Sequence, residues 1–120
     1  MFGYRGKYVR LDLNTGRISI LPLDDSLFRK YIGGAGIAAK FVFEETTPET
    51  DPLGPHNVLA AFTGPFTGSR ISSSSRHHVM ARSPQTGILG EASVGGDWGV
   101  QLKQAGFDGI VVTGKAPTPV

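Results

Sequence analysis

The run Asn57–Gly64, "NVLAAFTG", decides the fold class of this 120-residue chain. It is short, almost wholly apolar and closed by glycine, so it reads as a strand buried on both faces. The residues before it, "TTPETDPLGP", carry Pro48, Pro52 and Pro55 and read as a surface loop. Further back, Ile37, Phe41 and Glu44–Glu45 mark a helix that follows the glycine bend "GGAG", Gly33–Gly36. A shorter helix bearing Leu27, Phe28, Tyr31 and Ile32 is capped by Asp24 or Asp25. At the start, "KYVRLDL" (7–13) alternates, with Val9, Leu11 and Leu13 on one side and Tyr8, Arg10 and Asp12 on the other. "NTG" (14–16) then turns the chain into "RISIL", which predicts a β-hairpin.

Beyond Gly64, "RHHVMA" (76–81) and "GILGEA" (87–92) are strand candidates joined by the turn "RSPQTG". "GGDWGVQLKQAG" predicts a helix with Trp98, Leu102 and Ala105 on one face and Gly106 at its end, and "DGIVVTG" a last strand. Strands come in groups with helices interspersed irregularly, so the expected class is α+β rather than a repeating βαβ wind. The end, "GKAPTPV", is polar and proline-rich with no closing element, and a C-terminally truncated domain spanning 1–120 is expected.

Composition narrows the function. Glycine, at 17 of 120 residues, is about twice its average usage, and without a collagen period this implies tight turns and close backbone approaches. The formal charge of +2 is too small to announce a nucleic-acid binder. The absence of cysteine excludes a disulfide framework, a Cys-ligated zinc site and a Cys-ligated iron–sulfur cluster within the chain. No run approaches the ~18 apolar residues of a membrane span, and "MFGYRGKYVR" is no signal peptide, so a cytoplasmic protein is expected.

Two stretches carry candidate chemistry. "GAGIAA", Gly34–Ala39, matches the dinucleotide pattern G-x-G-x-x-A, which requires a strand running into the glycines. The preceding segment reads as helical, so a plain glycine bend between helices is the competing reading. The second stretch runs from Pro52 to Gly90 without one Asp or Glu, yet holds Arg70, Arg76 and Arg82. Guanidinium groups without nearby carboxylates suit an anion. "GPFTGS", "SPQTG" and the helix-opening "GGDWG" add turns whose N–H groups converge. The competing reading makes these arginines solvent-facing and the Gly-Gly pair a packing device. His77 and His78, adjacent on a strand, point to opposite faces and do not chelate one metal together; one exposed and one satisfied histidine is expected. Trp98 and Phe107 read as core. No nucleophile–base pair or acid–base carboxylate pair stands out, and no catalytic residue is assigned.

In order, "GKYVRLDLNTGRI", "YIGGAGIAAKFVFEE", "DPLGPHNVLAAFTGPFTGS", "SRHHVMARSPQTG" and "GGDWGVQLKQAGFDGIVVTGK" resemble the N-terminal domain of the tungsten-containing aldehyde:ferredoxin oxidoreductases. The resemblance covers Gly6 to Lys115. It implies a cofactor platform within a protein several times longer, which carries a bis-pterin cofactor of tungsten or molybdenum. It also implies a magnesium ion bridging the pterin phosphates, and a [4Fe–4S] cluster bound by later domains. Carried over, Arg76 contacts a phosphate or pterin edge, the backbone around Ser93, Gly95 and Gly96 cradles phosphate, and the Ser93 carbonyl faces the magnesium.

The implied reaction oxidises an aldehyde to a carboxylic acid and passes electrons to ferredoxin; the 120-residue piece alone is expected to be inactive. The implied partners are the remaining domains, ferredoxin and the aldehyde, with no nucleic acid and no membrane, and a homo-oligomer is left open. Two departures stand out: Ser93 where the family often has asparagine, and Ser72–Ser75 where glycines commonly precede the arginine. The rival functions are a nucleotide-binding domain using Gly34–Ala39 and a non-catalytic interaction domain that self-associates through a surface left bare.

Overall fold

The computed structural model describes residues 2–119; Met1 and Val120, the last residue of the polar tail, lie outside them. Nine elements follow one another: β1 (Lys7–Asp12), β2 (Arg17–Pro22), α1 (Asp25–Tyr31), α2 (Gly34–Glu45), β3 (Val58–Thr63), β4 (His77–Arg82), β5 (Leu89–Val94), α3 (Trp98–Gln104) and β6 (Gly109–Thr113). The strands form one six-stranded sheet in the order β2-β1-β6-β3-β4-β5. Among the described strands only the β1–β6 pair is parallel; β6 inserts between the first hairpin and β3, so the first and last strands meet mid-sheet. The α+β class expected from the sequence is the observed one.

Local chemistry accounts for the elements. Asp12 closes the β1–β2 turn by accepting from Asn14 N–H and the Thr15 hydroxyl, both at 2.9 Å. Asp24 caps α1 by accepting from Ser26 N–H at 2.8 Å. Asn57 ties the long proline-rich loop to the sheet, donating to the carbonyls of Pro52 and Arg82.

Helices α1 and α2 close one face. There Tyr8, Val58, Ala60, Phe62, Met80 and Val111 pack against Phe28, Ile37, Ala38 and Val42, all essentially removed from water. Phe62 is the centre, with its ring stacked 5.2 Å from Phe41 and tilted 6.1 Å from Tyr8. Gly109, its neighbour on β6, makes room: a Cβ there would lie 2.2 Å from the Phe62 ring.

The second face is covered only at one end, where α3 lies over His77. The expectation that Asn57–Gly64 is buried on both faces holds for Ala61 and Thr63 and fails at Leu59, which is 45% exposed. Leu59 sits on the part of the second face that no helix reaches. Trp98, expected in the core, is 46% exposed and lies along the rim of this face.

Candidate functional site

The site residues gather where β3 ends, β4 begins and β5 ends. Gly64–Thr67 turns the chain out of β3, and Thr67, itself buried, fixes that turn to the next strand. Its hydroxyl accepts from Gly64 N–H at 3.0 Å and donates to the Arg76 carbonyl at 2.8 Å. Arg76 is thereby held on β4's threshold with an exposed side chain. Register pairs His78 with Ser93, so Arg76, two residues back, reaches the Ser93 end of β5. Its guanidinium lies 3.4 Å from the Ser93 carbonyl and 3.3 Å from the Ser93 hydroxyl, both long contacts. Gly95 and Gly96 follow at once and open α3. Gly96 takes φ +86°, a conformation only glycine holds without strain, and a Cβ at Gly96 would meet nothing within 4 Å.

Arg76 belongs to none of the ion pairs among the described residues, which are Arg10–Glu45, Lys40–Glu44, His78–Glu91 and Lys103–Asp108. A guanidinium with donors to spare beside open glycine backbone and a serine hydroxyl is a donor-rich surface suited to an anion. No group of three or more His, Cys, Asp or Glu that could enclose a metal occurs among the described residues. Any cation at Ser93 would therefore need most of its oxygens from outside this chain.

Only part of the arginine-rich window converges here. Arg82 stands at the far end of β4, about 20 Å along the strand, and donates at 2.6 Å to the carbonyls of Thr47 and Pro48. It clamps a loop. "SPQTG" is the β4–β5 turn at that same far end, with Gly87 N–H bonded to the Ser83 carbonyl. Arg70 is exposed in the loop between β3 and β4. Of the converging turns, those beside Arg76 are "GPFTGS" and "GGDWG".

The histidines sit on opposite faces, as adjacency on a strand requires; one is satisfied, as expected, but the other is buried rather than exposed. His77 is the buried one, 5% exposed, its ring centred 4.6 Å from that of Trp98, and its Nδ1 has no hydrogen-bond partner among the described residues. Burial, with a smaller contribution from neighbouring His78, pushes its pKa below the ordinary histidine value. His78, half-buried, is the satisfied one, with Nδ1 2.8 Å from Glu91 Oε1.

Behind the site, α3 is anchored by a group that sequence reading overlooked. Lys103 Nζ donates to Asp108 Oδ1 at 2.5 Å, both residues being buried. Asp108 Oδ2 accepts from the amides of Arg5 and Gly6, and Arg5 Nε returns to the Lys103 carbonyl. The only signal for it in the sequence is a Lys and an Asp bracketing a predicted helix end.

The Gly34–Ala39 motif is the first half of α2, and the element running into it is the helix α1. The strand–glycine–helix geometry of a dinucleotide site is not formed. Gly33 and Gly34 nevertheless line a cavity of about 330 Å³ together with Arg76 and His78. A larger groove of about 590 Å³ between α2 and the β4–β5 hairpin is walled by Phe43, Ile88 and Leu89 and lies away from Arg76.

The fold and this rim define a class: an α+β domain with one helix-covered sheet face and a donor-rich seat at the sheet's end. Residues 8–120 match the family model described as "Aldehyde ferredoxin oxidoreductase, N-terminal domain". The chain belongs to that family. It is 41% identical over 120 residues to the tungsten-containing aldehyde ferredoxin oxidoreductase of Pyrococcus furiosus, covering all of this chain and 20% of that protein. The corresponding protein of Thermococcus kodakarensis is 39% identical with the same coverage. The aliphatic sulfonate oxidoreductase WOR-like subunit of P. furiosus is 32% identical over 124 residues, all of this chain and 19% of that one. Among solved structures, the active site complex BamBC of benzoyl coenzyme A reductase superposes with a TM-score of 0.94. That match is 33% identical and covers 97% of this chain and 18% of that one. The chain thus spans about a fifth of the length of these relatives. No helix among the described residues is long and apolar enough to cross a membrane.

Proposed function

We propose that this chain is the N-terminal cofactor platform of a longer oxidoreductase, and that its rim seats the phosphate groups of a tungstopterin. The observation that carries the reading is Arg76, which no carboxylate among the described residues neutralises, facing Ser93 beside the open backbone of Gly95 and Gly96. Arg76 would bind a phosphate oxygen, and the amides around Gly95 and Gly96 would bind others. Ser93 would offer its main-chain carbonyl to a phosphate-bound magnesium, a role that needs no asparagine side chain. Arg76 now touches that same carbonyl, so its guanidinium would turn toward the phosphate when a cation takes the oxygen. When bound, the tungsten or molybdenum centre supplies the two-electron chemistry that converts an aldehyde to a carboxylic acid. This chain's residues only hold and orient it.

The [4Fe–4S] cluster and the electron exit to ferredoxin belong to other parts of the protein, since the chain has no cysteine. The chain alone is accordingly inactive in this reading. The parent's partners are its own remaining domains, ferredoxin and the aldehyde.

The test is a backbone amide NMR titration of the chain with pyrophosphate at low salt, where an exposed guanidinium–phosphate contact is least screened. Saturable shifts at Arg76, Ser93, Gly95 and Gly96, lost in Arg76→Ala, are expected. Shifts confined to Gly34 and Gly36 would move the anion to the start of α2 and overturn the assignment.

A further inference from the structure

Arg76 directly precedes β4 and His78 is the strand's second residue, so the two stand two residues apart, about 7 Å along an extended chain. Both line the same cavity of about 330 Å³, whose other polar residues are Thr67, Ser73 and Ser74, with Gly33 and Gly34 beside them. The imidazole is held from two sides. On one side Glu91, next but one to Ser93 on β5, engages Nδ1 at 2.8 Å. On the other, the ring edge presses on Gly34, where a Cβ would stand 3.0 Å from Cδ2 and 3.7 Å from Nε2. Gly34 has φ +46°, so no other residue would take that conformation without strain, and a side chain there would push the ring out of place. A carboxylate on one imidazole nitrogen fixes the ring and leaves the other nitrogen for a ligand.

We propose that His78 is a second ligand contact of this seat, its Nε2 bonding an oxygen of the phosphate or pyrophosphate group that Arg76 holds. Glu91 is the positioning residue that orients the ring. One proton serves the Nε2···O contact, carried by the imidazole or by the phosphate, and no bond is made or broken. The inference rests on the anion reading of the Arg76 rim and extends it into the cavity beside α2. It also gives Gly34 a purpose that the dinucleotide motif does not supply: it makes room for His78.

The experiment follows the His78 imidazole ¹⁵N signals and the backbone amides together while pyrophosphate is added to the chain at low salt. Three proteins are compared: the parent, His78→Leu and His78→Gln. The expected result is a saturable Nε2 shift with the same midpoint as the Gly95 and Gly96 amides. His78→Leu should weaken binding by about tenfold, the order expected for one hydrogen bond to a charged group. His78→Gln, whose amide nitrogen reaches about as far as Nε2, should recover most of the loss.

If the amides saturate and Arg76→Ala abolishes binding while Nε2 stays still and His78→Leu binds like the parent, the His78 contact is refuted and the Arg76 seat stands. If no amide moves in the parent, the seat itself fails and the His78 contact falls with it. Should His78→Leu lose its dispersed amide spectrum, the Nε2 shift of the parent and the His78→Gln midpoint decide.

Discussion

The same strands present apolar side chains to both faces of the sheet, and the two faces meet different fates. On the helix side, Tyr8, Phe62, Met80 and Val111 are at most 7% exposed. On the other, Ile18, Ile20 and Leu59 are 69%, 59% and 45% exposed. Register makes this second set contiguous: Leu11 pairs with Ile18 and Val112, Val9 with Ile20 and Ile110, and Leu59 with Val112. A sheet meant to face water on one side alternates apolar with polar residues. This one does not, so the outer face carries the chemistry of a buried surface without the cover. The lesson concerns energetics: residues of the same type contribute to this fold only where α1, α2 or α3 removes them from water.

The sharpest way to break the comparison is Phe62→Ala on the closed face. Phe62 is fully buried and stacks on Phe41, so losing its ring should cost about 4 kcal/mol. Urea unfolding would read this directly; a loss below about 1 kcal/mol would mean that the helix layer is not what holds the sheet.

The covered end of the second face depends on a buried ion pair as well as on rings. Asp108→Ala strands the buried Lys103 ammonium and leaves the amides of Arg5 and Gly6 without an acceptor. The expected cost is about 3 kcal/mol. Because this pair anchors α3, hydrogen exchange should rise in residues 98–104 before it rises in α2. A uniform rise across both helices would show the pair to be no more local than the rest of the core.

His77 adds a pH dependence to that same end. Its pKa is lowered by burial and by His78, so the folded protein binds the proton less readily than the unfolded chain does. The stability it contributes is complete above the unfolded value of about 6.5 and is lost as pH falls through the depressed folded value. The slope should stay below the one-proton limit of about 1.4 kcal/mol per pH unit. His77→Phe keeps a ring against Trp98 and removes the titration. It should flatten the stability profile between pH 7 and 5, and an unchanged profile would assign the slope to other groups.

How much of this was legible beforehand follows from what each signal encodes. Alternation in 7–13, the turn at Asn14–Gly16, the cap at Asp24 and the glycine after α3 are local, and every one stands in the structure. The sign of the alternation is not local. Val9 and Leu11 form the more apolar set, yet it is Tyr8 that enters the closed core, because the aromatic cluster of Phe41 and Phe62 lies on that side. The position of β6 between β1 and β3 is equally invisible, since the parallel pairing joins residues about a hundred positions apart.

At the candidate site, the carboxylate-free window drew attention to three arginines, and only the pairing of β4 with β5 shows that Arg76 and Arg82 stand at opposite ends of one strand. Glu91, which meets His78, and Asp108, which meets Lys103, gave no warning: an acidic residue on a predicted strand looks the same whether it faces solvent or a partner.

The smallest expected effect on stability tests the bare face itself. Ile18→Ser with Ile20→Ser changes two side chains that are already mostly in water, so unfolding free energy should move by no more than about 0.5 kcal/mol. Their effect on association should be far larger. A contiguous apolar face on an isolated domain favours contact with another such face, and replacing two of its residues with hydroxyls should lower the apparent mass in concentrated solution. Sedimentation at rising concentration separates the two quantities. A parent chain that stays monomeric at millimolar concentration would show that the bare face does not self-associate. A double variant that loses several kcal/mol would show instead that Ile18 and Ile20 are buried in the folded protein, and that the two faces of the sheet are less different than they look.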